Sequence, residues 1–105
     1  MERLGLIEKI LVEGKEIFAK IDTGASTSSM DKNLAEELGL GPVIKTKGVR
    51  NAHGKSMRPV VKANININGR NMRTKFNLID RKHMKYKVLL GKNTLKRGFI
   101  IDPNK

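Results

Sequence analysis

The run Ile17-Phe18-Ala19-Lys20-Ile21 alternates apolar with other residues and then meets Asp22-Thr23-Gly24-Ala25-Ser26. This junction limits the fold more than any other stretch. Period-two alternation marks a half-buried strand, so the chain must deliver Asp22 at a strand end. Gly24 is expected to turn the backbone through angles closed to other residues, with the Thr23 and Ser26 hydroxyls holding the loop by side-chain to backbone hydrogen bonds. The carboxylate is then aimed rather than loose. Taken alone, these residues suit an ordinary turn equally well, since Asp, Thr and Gly are all favoured in turns.

The remaining chain supplies more strands. Leu4-Gly5-Leu6-Ile7-Glu8-Lys9-Ile10-Leu11-Val12 reads as one strand, with Glu13-Gly14-Lys15 turning into the strand that ends at Asp22. Asp31 is placed to cap a short helix over residues 32–38, with Leu34, Ala35 and Leu38 on one face and Gly39 as its stop. Residues 43–49 and 56–67 are strand candidates joined through Arg50-Asn51-Ala52-His53-Gly54-Lys55. In Ile65-Asn66-Ile67-Asn68-Gly69-Arg70-Asn71-Met72, Asn-Gly marks a two-residue hairpin turn. A strand over residues 74–79, a basic loop over 80–85, a return over 86–90, a short helix over 93–97 and a last strand, Phe99-Ile100-Ile101, complete the pattern.

Val88-Leu89-Leu90-Gly91-Lys92-Asn93-Thr94-Leu95 is similar to a second retropepsin signature: two apolar residues, a glycine, then a short helix opened by Lys or Arg and Asn. With Asp22-Thr23-Gly24-Ala25 resembling the active-site loop of aspartic proteases, the two segments stand in the order and at the separation of one retropepsin lobe. The resemblance extends through Asp22 to Ser29, Arg58-Pro59-Val60-Val61, Phe76-Asn77-Leu78-Ile79-Asp80-Arg81 and Met84-Lys85-Tyr86. Together these resemble the retropepsin-like family labelled an ATP-dependent zinc protease and associated with ribosomal-protein glutamate ligases. The resemblance implies a mainly β, retropepsin-like acid protease fold, a single-lobe closed β-barrel with one or two short helices, in one domain over residues 1–105.

It also implies roles. Asp22 would be the catalytic acid, and Thr23, Gly24 and Ala25 its loop support. Leu89, Leu90 and Gly91 would pack beside that loop, while Arg50, Asn51, Ala52, His53 and Gly54 would form a flap over bound substrate. Aspartic proteolysis needs two carboxylates sharing a proton, one taking a proton from water and the other polarising the scissile carbonyl. None of Asp31, Asp80 and Asp102 is followed by Thr-Gly or Ser-Gly, so a homodimer must supply the second Asp22. Thr23 of the two copies would interlock beneath the pair.

The zinc and ATP of the label find little footing in the residues. The chain has only His53 and His83, no cysteine, no His-Glu-x-x-His helix and no phosphate-binding Gly-x-x-x-x-Gly-Lys-Ser/Thr loop. No metal and no cofactor are expected, and His53 fits a solvent-facing turn. The lack of cysteine also excludes a disulfide framework and a thiol nucleophile. Apolar runs are too short for a membrane span, and the start lacks the apolar block of a signal peptide, so a cytoplasmic protein is expected.

Charge is unevenly spread. Residues 1–40 hold five Lys or Arg against eight Asp or Glu, a net −3, whereas residues 41–105 carry +15 of the overall +12. Such a field suits anionic partners: an acidic or glutamate-extended polypeptide substrate, a ribosome surface or a glutamate ligase. The rival expectation is a noncatalytic retropepsin-fold module docking on a ribosomal, RNA or acidic-polypeptide partner. Nucleic-acid binding alone is weaker, because one Tyr and three Phe offer little stacking surface.

Overall fold

The opening hairpin buries Ile10 and Val12 of β2 (Ile7–Val12) and Ala19 and Ile21 of β3 (Lys15–Ile21), with Ile10 opposite Ile17, and leaves Ile7 and Phe18 exposed. The computed structural model describes residues 1–52 and 54–105. The strand expected from Leu4 to Val12 is broken in two. Leu4 ends β1 (Glu2–Leu4), which pairs in parallel with β9 (Phe99–Ile101), and the Gly5 N–H turns to the Glu8 carboxylate. A glycine inside a strand pattern marked the interruption.

Beyond Asp22 the chain enters β4 (Ser28–Asp31), a strand that the reading of the sequence lacks. All four of its residues are buried, so period-two alternation is absent, and its Ser-Ser-Met-Asp composition resembles a loop. The strand runs parallel to β7 (Arg70–Ile79) and antiparallel to β8 (Val88–Leu90). Asp31 then caps α1 (Lys32–Glu37) by accepting the Leu34 N–H, and Ala35 is buried on the expected face.

β5 (Lys45–Asn51) pairs with β6 (Gly54–Ile67) up to Asn51 opposite Gly54, so the flap arms are longer than expected and the polar residues thought to join them are mostly ladder. Backbone pairing needs no apolar alternation at an edge. At Asn68 and Gly69, φ is 52° and 86°, the two positive angles that an Asn-Gly hairpin turn requires, and β7 returns along β6 from there. The return expected over 86–90 is strand only from Val88. Tyr86 and Lys87 belong to the preceding loop, where the Lys87 ammonium donates to the carbonyls of Arg81, Lys82 and Met84. The last helix, α2 (Lys92–Leu95), begins one residue earlier than expected and ends two earlier.

Strands β2-β3-β8-β4-β7-β6 hydrogen-bond in that order, and β2 pairs again with β6 through Leu11 to Asn66 and Val12 to Ile65, closing a six-stranded barrel. β5 hangs outside on β6. Phe76, Ile10, Met30, Ile67 and Leu90 fill the interior, each such side chain contributing roughly 1.5–3 kcal/mol by leaving water. No helix among the described residues is long and apolar enough to cross a membrane.

Candidate active site

Asp22 leaves the barrel at the end of β3, where Ile21 lies beside Leu90 in the parallel β3–β8 pair. Its N–H donates to the Leu90 carbonyl at 2.9 Å, which sets the carboxylate against the end of β8. Its Oδ1 accepts the Gly24 N–H at 2.9 Å, and its carbonyl accepts the Ala25 N–H at 3.2 Å. The loop is thus built on Asp22 itself. Neither the Thr23 nor the Ser26 hydroxyl makes a hydrogen bond among the described residues, contrary to expectation. Gly24 does not adopt a left-handed angle either. A Cβ there would stand 3.3 Å from Asp22 Oδ1, so glycine serves the close approach of backbone to carboxylate.

The β8–α2 segment packs against this loop. Gly91 lies against the carbonyls of Ala25 and Thr27, the Lys92 N–H donates to Ala25 O at 2.8 Å, and the Asn93 N–H donates to Ser26 O at 3.1 Å. Asn93 Oδ1 accepts from both the N–H and the hydroxyl of Ser28, each at 2.8 Å. The Ser28 hydroxyl meets Thr94, whose own hydroxyl meets Thr74, both at 2.7 Å in the buried interior. Every polar group in this chain of contacts is satisfied, so the loop rests on a rigid base.

A cleft of about 410 Å³ opens between the loop and the flap, bounded by Gly24, Ser26, Thr27 and Ser29 on one side and by Lys47 to Arg50 with Arg58 on the other. Asn77 joins the two sides: its Nδ2 donates to Thr27 Oγ1 and to the Ser28 carbonyl, while its Oδ1 accepts from Ser29 Oγ and Arg58 Nη1. Burial pushes the Arg58 guanidinium below its ordinary value. Burial does the same to Arg81, where Asp31 opposes the shift, Arg58 adds to it and Asp22 opposes it. The Arg81 N–H is held by Asp31 Oδ1 at 2.7 Å.

Asp22 is half-buried, whereas Thr23 and Gly24 are exposed, so the acid is presented at the surface of a single chain. Arg50 borders the cleft, Ala52 is exposed and Gly54 opens β6. Asn51 ends β5, and His53 lies outside the described residues. Among the described residues no three His, Cys, Asp or Glu converge as metal ligands would, and His83 is exposed in the 80–87 loop. Of the residues around the cleft, Lys47 belongs to no motif in the sequence, and Thr27, Ser29, Arg58 and Asn77 stand in the resemblance motifs without a role at the site. They meet through strand register, and no local pattern marks that meeting.

Residues 30–105 match the family model described as RimB-like, retropepsin-like aspartic endopeptidase RimB; the match begins after the Asp22 loop. No curated protein matches the chain. Among solved structures, a Legionella pneumophila protein of unknown function (DUF785) superposes with a TM-score of 0.72 at 25% identity, over 99% of this chain and 94% of that one. EIAV protease, solved with the inhibitor HBY-793, superposes with a TM-score of 0.72 at 21% identity, over 86% of this chain and 84% of its own. The simian foamy virus (mac) protease gives 0.67 at 18% identity, over 86% of this chain and 91% of that one. The two viral enzymes share the fold.

Proposed function

The chain belongs to the RimB-like family of retropepsin-like aspartic endopeptidases, and from that premise we propose that two copies form one peptidase whose catalytic pair is Asp22 of each. The observation that carries this reading is the presentation of Asp22. Its backbone and Oδ1 are tied down, while Oδ2 has no partner among the described residues and the adjoining Thr23 and Gly24 are open to solvent. A two-fold axis at this point brings the carboxylates together.

Two like charges in contact cannot both ionise cheaply, so the pair holds one proton. The ionised Asp22 takes a proton from water as the water oxygen bonds to the scissile carbonyl carbon, and the protonated Asp22 gives its proton to the carbonyl oxygen. The resulting gem-diol collapses as the nitrogen is protonated and the C–N bond breaks, leaving an acid and an amine. No covalent enzyme intermediate forms. Thr23 of the two copies supports the pair, and the β5–β6 flap covers an extended substrate and excludes water. The basic cleft favours an acidic substrate, and the family resemblance suggests glutamate-extended tails and association with a ribosome or glutamate ligase.

Asp22→Asn keeps the shape and removes the ionisable group. Its cleavage of unfolded and acidic polypeptides should fall by roughly 10²–10⁴-fold against wild type at every pH. Equal cleavage by both proteins removes the mechanism. Salt-sensitive capture of acidic polypeptide by both, with cleavage by neither, establishes the rival binding module instead.

A further inference from the structure

Residues 38–79 and 81–101 contain no Asp or Glu. β6, β7 and α2 all fall inside those spans, so the charge they present to solvent is positive and unopposed from within. Burial alternates along both strands. Val61, Ala63, Ile65 and Ile67 of β6 and Met72, Thr74 and Phe76 of β7 are buried, which leaves Lys62 and Asn64 on one strand and Asn71, Arg73 and Lys75 on the other exposed on the outer face.

Register arranges these side chains in rows, with Lys62 opposite Lys75 and Asn64 opposite Arg73. The α2 segment extends the rows, because Asn93 Nδ2 donates to the Lys75 carbonyl at 3.1 Å and Arg97 Nη1 to the Arg73 carbonyl at 2.7 Å. Lys92, Lys96 and Arg97, all exposed, flank the face on that side. Near the cleft, Lys75 also lines a cavity of about 160 Å³ with Lys45 and Lys47. At the far end the Glu13 carboxylate accepts the Asn64 N–H at 2.7 Å. Among the described residues none of Lys62, Arg73, Lys75, Lys92, Lys96 and Arg97 lies in an ion pair, the salt bridges being at Arg3, Lys9 and Lys105. Like charges directly across a ladder cost stability, and Lys62 with Lys75 is such a pair. An anion lying over both relieves it.

The form of the face favours one class of anion. The β7 carbonyls at Arg73 and Lys75 are already taken, so an extended peptide finds no ladder to join there, and a flexible chain must order itself on an open surface. A double helix brings its phosphates in a fixed array. The rows hold no aromatic side chain, which denies a single strand its stacking surface, and no exposed apolar one to enter a membrane. Asn71 Nδ2, which makes no hydrogen bond among the described residues, stands on the same face as a donor for the 2′-hydroxyl that separates RNA from DNA.

We propose that the outer face of β6 and β7, with the flank of α2, docks double-stranded RNA by its phosphates, Lys62, Arg73 and Lys75 being the central contacts. The docking involves neither Asp22 nor the flap.

The test is fluorescence anisotropy of the full-length protein with a short labelled RNA duplex, between about 50 and 200 mM salt. The triple variant Lys62→Gln, Arg73→Gln, Lys75→Gln should bind at least about tenfold more weakly, and its slope of log affinity against log salt should fall by roughly 3, about one for each lost phosphate contact. The control triple Lys20→Gln, Lys82→Gln, Lys85→Gln removes the same charge from exposed positions on β3 and the 80–87 loop, and should lose less than about threefold. A third protein, Lys62→Arg, Arg73→Lys, Lys75→Arg, keeps the charge and should bind as wild type does, which separates lost contacts from a lost fold. Equal losses in the two glutamine triples overturn the proposal and leave only a diffuse positive field. A DNA duplex that binds as tightly as the RNA overturns the assignment to RNA. An acidic peptide of equal charge that binds more tightly than the duplex, and loses as much in the first triple, overturns it in favour of a polypeptide occupant. Cleavage enters none of these measurements, so the peptidase reading stands or falls separately.

Discussion

Gly91 has no room for a side chain. A Cβ there would lie 2.5 Å from the Thr27 carbonyl oxygen and 2.8 Å from that of Ala25, both backbone atoms that cannot step aside singly. Gly91→Ala should cost roughly 1–3 kcal/mol in urea unfolding, and because the displaced backbone carries Asp22, peptidase activity should fall further than the folded fraction does. Asp31, only 3% exposed, serves two backbone donors, Leu34 N–H at the head of α1 and Arg81 N–H in the interior. Asp31→Ala removes a cap and strands a buried donor, so a loss of about 2–4 kcal/mol is expected in thermal or denaturant unfolding. Asp80 offers a pH signature. The Lys82 N–H donates to its carboxylate and holds it below its usual value of 3.8. The contact therefore adds stability above about pH 4 and loses it as pH falls through the lowered value, which an NMR titration of the Lys82 amide would follow.

Among the elements, α2 spans a single short turn of helix, yet its Asn93 ties the exit of the Asp22 loop to β7 through Ser28 and the Lys75 carbonyl. Asn93→Ala should destabilise by about 1–3 kcal/mol, because the Ser28 N–H loses its acceptor, and should slow cleavage by loosening the loop. Asn93→Asp keeps the acceptor and should recover most of the stability, measured by the same unfolding curves. Elements with a local signature were legible in the sequence: the Asn68-Gly69 turn, the Asp31 cap and the alternating β3 each announce themselves within a few residues. β4 was not, because a strand buried throughout has no period to display and its serines bond only to partners such as Asn77 and Asn93, at least 48 residues away. The length of the flap arms was hidden for a related reason, since an edge ladder is held by backbone.

At the scale of the whole molecule, one chain carries one Asp-Thr-Gly loop, so on the proposed reading activity per chain should rise with protein concentration and level off as dimers saturate. Sedimentation measurements over the same range should show the mass doubling where activity appears; full activity from a monomer would refute the shared site. The sequence alone determined that an acid follows a strand, that a glycine-led segment returns near the chain's end, and that the positive charge falls after residue 40, since each of these is a matter of order and spacing along the chain. Tertiary structure alone decided that Gly91 lies under the Asp22 loop, that Asn77 joins the loop to Arg58, and that lysines from two strands gather around one small cavity. The physical reason is register: once the β2–β6 contact closes the barrel, each side chain's neighbours are set by which residues face one another across strands, and a linear sequence does not state that pairing.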